Sequence, residues 1–170
     1  PSLYGARFVE SSADGNTVLV LSNTTEFLVI VDTDDKEKPK HVGSFQDKNR
    51  YKEPGGLAFS GEYAFITSRN TSSLAIEHAP GAEFAGNVVL PEPGAVAVSP
   101  VDPDLAVVLS ASGLLLVNVS YKDDPQWVDT LSEGVVLDEP AALALDAEYA
   151  YVVSGGALNA LSLIHISEPT

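Results

Sequence analysis

Leu28-Val29-Ile30-Val31-Asp32 and Leu114-Leu115-Leu116-Val117-Asn118 are two copies of one segment, 86 positions apart. The register between them holds without a gap: Pro39 falls on Pro125, His41 on Trp127, Val42 on Val128, Ser44 on Thr130 and Phe45 on Leu131. A shift of that size is two units of about 43 residues, the length of a four-stranded propeller blade. The middle unit carries a weaker copy, Ser73-Leu74-Ala75-Ile76-Glu77.

A second motif recurs once per unit as Leu57-Ala58-Phe59-Ser60, Val96-Ala97-Val98-Ser99 and Leu143-Ala144-Leu145-Asp146, with Phe8 to Ser12 as a degenerate first copy. A turn follows each, and then an apolar stretch rich in β-branched and aromatic residues: Thr17–Ser22, Tyr63–Ser68, Leu105–Ser110 and Tyr149–Ser154. Asp14-Gly15-Asn16 and Gly61 suit turns that need positive φ, and Pro100 and Pro103 exclude a regular strand between Ser99 and Leu105. The alanines 58, 97 and 144 read as the small residues of inner strands at a crowded axis. Pro39 and Pro125 introduce a fourth strand, where a missing N–H costs no ladder bond. Pro54, Pro93 and Pro140 mark links between units.

Apolar residues alternate at period two and turn residues interrupt every few positions, so no helix is expected. A β-sandwich also has short strands at regular spacing, but it does not require two copies locked in register two units apart. The expected fold is therefore all-β: a partial β-propeller of about three and a half four-stranded antiparallel blades in an open ring, since closed propellers take roughly four to eight blades. Units are expected at 5–51, 52–92, 93–139 and 140–160.

The chain has 170 residues, a net charge of −15 and no cysteine. That charge has the wrong sign for a nucleic-acid surface, which must release counterions from phosphates. Six of the nine basic residues, Lys36, Lys38, Lys40, Lys48, Arg50 and Lys52, fall in one stretch that could meet an acidic partner or shield an exposed sheet edge. Without cysteine there are no disulfides or zinc–thiolate sites. No apolar run is long enough for a membrane-spanning helix. The start at Pro1-Ser2-Leu3 and the lack of methionine imply a fragment of a longer reading frame.

At Leu28–Phe45 the chain resembles the LVIVD-repeat β-propeller family, whose name Leu28-Val29-Ile30-Val31-Asp32 spells, followed by an acidic turn, Pro39 and Val42-Gly43-Ser44. The resemblance extends more loosely over residues 5–160. It implies a multi-bladed propeller of the kind found in secreted or surface-attached proteins, and it brings no catalytic residues. Leu161–Thr170 look like the translation of a transposase sequencing adaptor and are set apart as non-native, which removes His165 from consideration. Their alternating Leu161, Leu163 and His165 nevertheless predict a third strand of the last unit, paired to the second.

Candidate sites follow from residue type. Asp32, Asp34 and Asp35 form an acidic turn of the sort that takes Ca²⁺, yet their counterparts are Asn118, Ser120 and Tyr121, which favours turn capping. His41 shares its position with Trp127, so the slot accepts a ring and does not demand a nitrogen; His78 follows a third strand without a visible partner. Trp127 offers a stacking platform or edge packing. Asn23, Asn70 and Asn118 head glycosylation sequons. Glu10, Glu53, Glu92 and Glu139 are the recurring carboxylates, the last three beside linking prolines.

These features assign no catalytic, cofactor or metal residue. They point to a non-enzymatic extracellular or cell-surface scaffold that binds a protein or small ligand, completed by further blades. The alternative is a lactonase- or phytase-like hydrolase holding a metal at the axis through a ring of carboxylates.

Overall fold

The computed structural model describes residues 3–132, 141–154 and 157–163. They form fifteen strands and no helix. The first blade holds β1 (Ala6–Ser11), β2 (Thr17–Ser22), β3 (Phe27–Asp32) and β4 (Lys40–Gln46). The second holds β5 (Pro54–Ser60), β6 (Tyr63–Ser68), β7 (Ser73–His78) and β8 (Glu83–Val89). The third holds β9 (Pro93–Val98), β10 (Leu105–Ser110), β11 (Gly113–Asn118) and β12 (Gln126–Leu131), and the fourth β13 (Ala142–Leu145), β14 (Tyr149–Ser154) and β15 (Ala157–Ser162). Strands lie in sequence order within each antiparallel sheet.

Both copies of the 28–32 segment are third strands, and Pro39 and Pro125 immediately precede the fourth. Pairing fixes which residues correspond between blades. Thr17, Tyr63, Leu105 and Tyr149 begin the second strands and sit opposite Asp32, His78, Asn118 and Ser162. The middle copy of the repeat is therefore Leu74–His78, one residue later than composition suggests, and Ser73 is the counterpart of Phe27 and Gly113 at the start of the third strand. His78 closes the strand rather than following it. Each third-to-fourth pair also carries an irregularity at one place, between Ile30 and Val31, Ile76 and Glu77, and Leu116 and Val117. Such bulges strengthen local twist and keep the outer strand following the blade.

Strand alternation sends successive side chains to opposite seams. Leu19, Leu21, Leu28 and Ile30 meet Leu57, Ala64 and Ile66 between blades one and two. Phe65, Leu74 and Ile76 point the other way, onto Ala106, Val108, Leu115 and Val117. Val107, Leu109, Leu114 and Leu116 then meet Ala150 and Val152. Central blades thus bury both faces, which is why their second and third strands read as continuous apolar runs.

First strands converge: β5 packs on β1 and β9, and β9 on β13. The crowding falls on glycine, not on the alanines that composition singled out. A Cβ on Gly55 would lie 2.7 Å from the Pro93 carbonyl oxygen, and one on Gly56 2.8 Å from the Val96 nitrogen. Ala97 is half-buried, Ala144 exposed, and the same slot in β1 holds Glu10, opposite Leu19 as Ala58 is opposite Phe65. The reason is pleat direction: Ala58 faces the sheet of the third blade, whereas the glycines lie where two backbones touch.

A serine ends every second strand, and all four are buried. Ser22 Oγ donates to the Tyr4 carbonyl at 2.7 Å, Ser68 to Lys52 at 2.8 Å and Ser110 to Pro91 at 2.8 Å. Each acceptor lies two residues before the first strand of its blade. The hydroxyl satisfies a carbonyl that the strand ladder does not reach.

The ring is open, with β1 and β13 at its two ends. Leu161 and Ser162 pair with Ala150 and Tyr149, as their alternation predicts. His165 and the rest of the adaptor-like stretch beyond Leu163 lie outside the described residues, as do Glu139 and Pro140.

Candidate functional site

The seam between blades one and two differs chemically from the next one. Its inner lining includes Tyr51, in the link to β5, and Glu77, on β7, both fully buried. Tyr51 Oη donates to Glu77 Oε1 at 2.8 Å. In the following seam the corresponding residues are Leu90, likewise three positions before a linking proline, and Val117, opposite Ala106 as Glu77 is opposite Ala64. A polar pair has replaced an apolar one.

Arg50 extends this pair toward solvent. Its Nε is 3.8 Å from Glu77 Oε1, its NH2 group is 3.0 Å from Asp47 Oδ2, and its guanidinium stacks 4.0 Å from the Phe84 ring centre. Asp47 Oδ1 accepts from the backbone N–H of Asn49 and Arg50, folding the link into a tight turn. Burial works to raise the Asp47 carboxyl; those two N–H groups and the Arg50 charge outweigh it and hold it low. Burial pushes Glu77 up, against the opposing pull of the Tyr51 hydroxyl and Arg50. Burial, then the Glu77 charge, pushes the Tyr51 phenol up as well. Glu77 Oε2 and Arg50 Nε are buried and have no hydrogen-bond partner among the described residues.

Beside this network, at the end of the seam formed by first-to-second and third-to-fourth turns, is a cleft of about 350 Å³. Blade one contributes Asp14, Thr17, Ile30 and Gly43, and blade two Phe59, Glu62, Ala79 and Ala82. The turn that would close it, 79–82, has four residues, whereas its counterpart 119–125 has seven. In the next seam the longer turn lies against β8, where a Cβ on Gly86 would sit 2.5 Å from the Lys122 carbonyl oxygen. Asp14 accepts from the Ser12 hydroxyl at 2.6 Å and from the Asn16 N–H, and these bonds keep its carboxyl low.

No protein-family model matches the chain, and no curated protein is similar to it in sequence. Solved structures do match. The β-propeller domain of Myceliophteria thermophila Cps50 (Swd1) superposes with a TM-score of 0.71 at 12% identity, over 95% of this chain and 53% of that one.

The chain is a partial, open β-propeller.

A functionally unknown protein from Desulfotomaculum acetoxidans gives a TM-score of 0.75 at 15% identity, covering 96% and 53% of the two chains. Kuenenia stuttgartiensis hydrazine synthase gives 0.73 at 12%, covering 95% and 47%. The chain spans about half the length of these propeller-like structures.

The remaining candidate residues scatter over this propeller, and several are explained by turn geometry. Asp32 Oδ1 accepts from the Asp34 N–H and Asn118 Oδ1 from the Ser120 N–H, both at 2.9 Å, so these residues cap equivalent turns. Among the described residues no three His, Asp or Glu side chains approach closely enough to share a metal. Glu53 and Glu92 are exposed and precede β5 and β9 with φ of 50° and 45°, at the position Gly5 holds before β1. Glu10 lies within β1, away from that set. His41 and Trp127 are exposed on outer strands, and the Trp127 indole donates to the Asp129 carbonyl. His78 does have partners: Nε2 is 3.5 Å from Glu62 Oε2, and the ring leans on Tyr63. The sequon residues Asn23, Asn70 and Asn118 are all exposed.

The basic stretch 36–52 is not one surface. Lys36 is bound into its own turn and Arg50 joins the buried network, because the chain between them turns through β4. Sequence reasoning missed Glu77 and Tyr51 altogether. A signal existed, in that Glu77 interrupts the otherwise apolar Leu74–Ile76 run.

Proposed function

We propose that this propeller is a non-enzymatic binding scaffold and that the cleft between blades one and two receives its ligand. The observation that carries this reading is the contrast between constant sheets and varied turns. Second and third strands keep one register in every blade, while the third-to-fourth turns change from seven residues to four and back to seven, and the four-residue turn lines the cleft. Variation concentrated where loops meet a preformed concavity suits recognition built on a rigid frame. The LVIVD resemblance supports an extracellular or surface-associated setting for the longer protein, with further blades covering the open faces. In that setting the exposed sequon residues fit a secreted chain.

The test is a binding and turnover screen on the 170-residue chain. Amines, sugars, carboxylates and short peptides are titrated while backbone amide signals are followed. Saturable shifts at Thr17, Gly43 and Ala79 are expected. Hydrolysis of a lactone or phosphomonoester that disappears in Glu53→Gln or Glu92→Gln would replace this reading with that of a hydrolase.

A further inference from the structure

One lysine position recurs in the third-to-fourth turns. Lys36 lies three residues after Thr33, and Lys122 three residues after Val119, the two residues that follow β3 and β11. Each ammonium folds back to the carbonyl of its turn's first residue: Lys36 Nζ donates to Thr33 O at 2.8 Å, and Lys122 Nζ to Val119 O. Each also approaches a side-chain oxygen just before the second strand, Asn16 Oδ1 at 3.5 Å and Asp104 Oδ1 at 3.5 Å. Two blades therefore hold a primary ammonium between the same two acceptors.

Blade two keeps the acceptors without the lysine. Glu62 precedes β6 as Asp104 precedes β10, and Ala79 follows β7 as Val119 follows β11. The residue three beyond Ala79 is Ala82, in the shortened turn. Among the described residues Ala79 O accepts one bond, from the Ala82 N–H at 3.2 Å, and a carbonyl has a second lone pair. Glu62 Oε2 has His78 Nε2 at 3.5 Å, and no lysine among the described residues reaches it. Thr17, Gly43, Glu62 and Ala79 all line the cleft, and they correspond in order to Tyr63, Gly86, Asp104 and Val119. Those four residues are what Lys122 and its backbone meet in the next seam.

We propose that the cleft between blades one and two binds an alkylammonium group, with the Glu62 carboxylate and the Ala79 carbonyl as its acceptors and the aliphatic stem against Ile30 and Phe59. The propeller's own lysine turns are the template for the geometry. A charge-assisted bond to a carboxylate supplies the polar part of the recognition, and the apolar walls take the methylenes. This inference deepens the binding reading above and rests on it.

The experiment titrates the chain with N-acetyl-lysine-methylamide, 1,5-diaminopentane and 1-pentanol, following the amide signals of Thr17, Gly43 and Ala79. Both amines are expected to shift them saturably and pentanol is not. Tighter binding of the lysine amide assigns the source to a partner protein's side chain, and tighter binding of the diamine to a free polyamine. Glu62→Gln should weaken binding at least fivefold. Ala82→Lys, which restores a tethered ammonium, should abolish it. Unsaturable shifts spread over the acidic surface, or unchanged affinity in Glu62→Gln, overturn the proposal. Should Ala82→Lys fail to reproduce the wild-type spectrum outside the seam, Glu62→Gln decides alone. A cleft that bound a neutral sugar and no amine would refute the ammonium site and leave the binding reading standing.

Discussion

Glu77 holds a proton more readily inside the fold than outside it, because burial disfavours its charged form. Between its ordinary value of 4.5 and its raised folded value the folded chain binds the extra proton, so stability is present below that window and falls as pH rises through it. Glu77→Gln removes this slope. Urea unfolding at a series of pH values should find the variant gaining on wild type as pH rises above 4.5. The seam with Leu90 and Val117 supplies a second test. Tyr51→Leu strands a buried carboxyl without its donor and should cost about 2–3 kcal/mol. Adding Glu77→Val should recover most of that loss, and a double-mutant cycle reads the coupling. Their pairing was not legible in advance, because hydrogen bonding between positions 26 apart depends on how two blades abut. The serines that close the second strands were legible as a recurrence, though not as donors. Ser68→Ala should lower stability by about 1–2 kcal/mol in the same assay, through an unpaired Lys52 carbonyl.

Strands were legible almost to the residue, since alternation and turn chemistry are local. Thr17–Ser22, Tyr63–Ser68, Leu105–Ser110 and Tyr149–Ser154 are second strands with those boundaries. Register in blade two was not, because Ser73 stands where Phe27 and Gly113 open the third strands of blades one and three, and the residue types from Ser73 to Glu77 imitate the repeat one position early. Where strands of different blades touch, the limiting dimension is backbone to backbone. Gly56→Ala should therefore destabilise by about 2–4 kcal/mol, as its Cβ would meet the Val96 nitrogen and the Ala95 Cα. Gly61 has φ +58 and nothing within 4 Å of an added Cβ. Gly61→Ala should cost only about 1 kcal/mol, the strain of the left-handed backbone. Thermal unfolding of the pair separates crowding from conformation.

The whole molecule leaves two blade faces unlike those inside it. Val9 on β1 is 66% exposed, whereas Leu57 and Val96 at the same position are 4% and 7% exposed. At the other end Leu158 is 71% exposed where Leu114 is buried. Apolar faces of this kind drive association. Sedimentation of the 170-residue chain should show concentration-dependent self-association, reduced by Val9→Lys combined with Leu158→Lys; a strict monomer at all concentrations would refute it. Sequence by itself determined the all-β class, the blade period, the strand order and the openness of the ring, because periodicity and repeat count are properties of local pattern and length. Only the tertiary structure decided that Tyr51 meets Glu77, that glycine and not alanine occupies the tight axis, and that a four-residue turn leaves a cleft between blades one and two. Each of those depends on which residues of adjacent blades come to face one another, and single-strand patterns do not encode that.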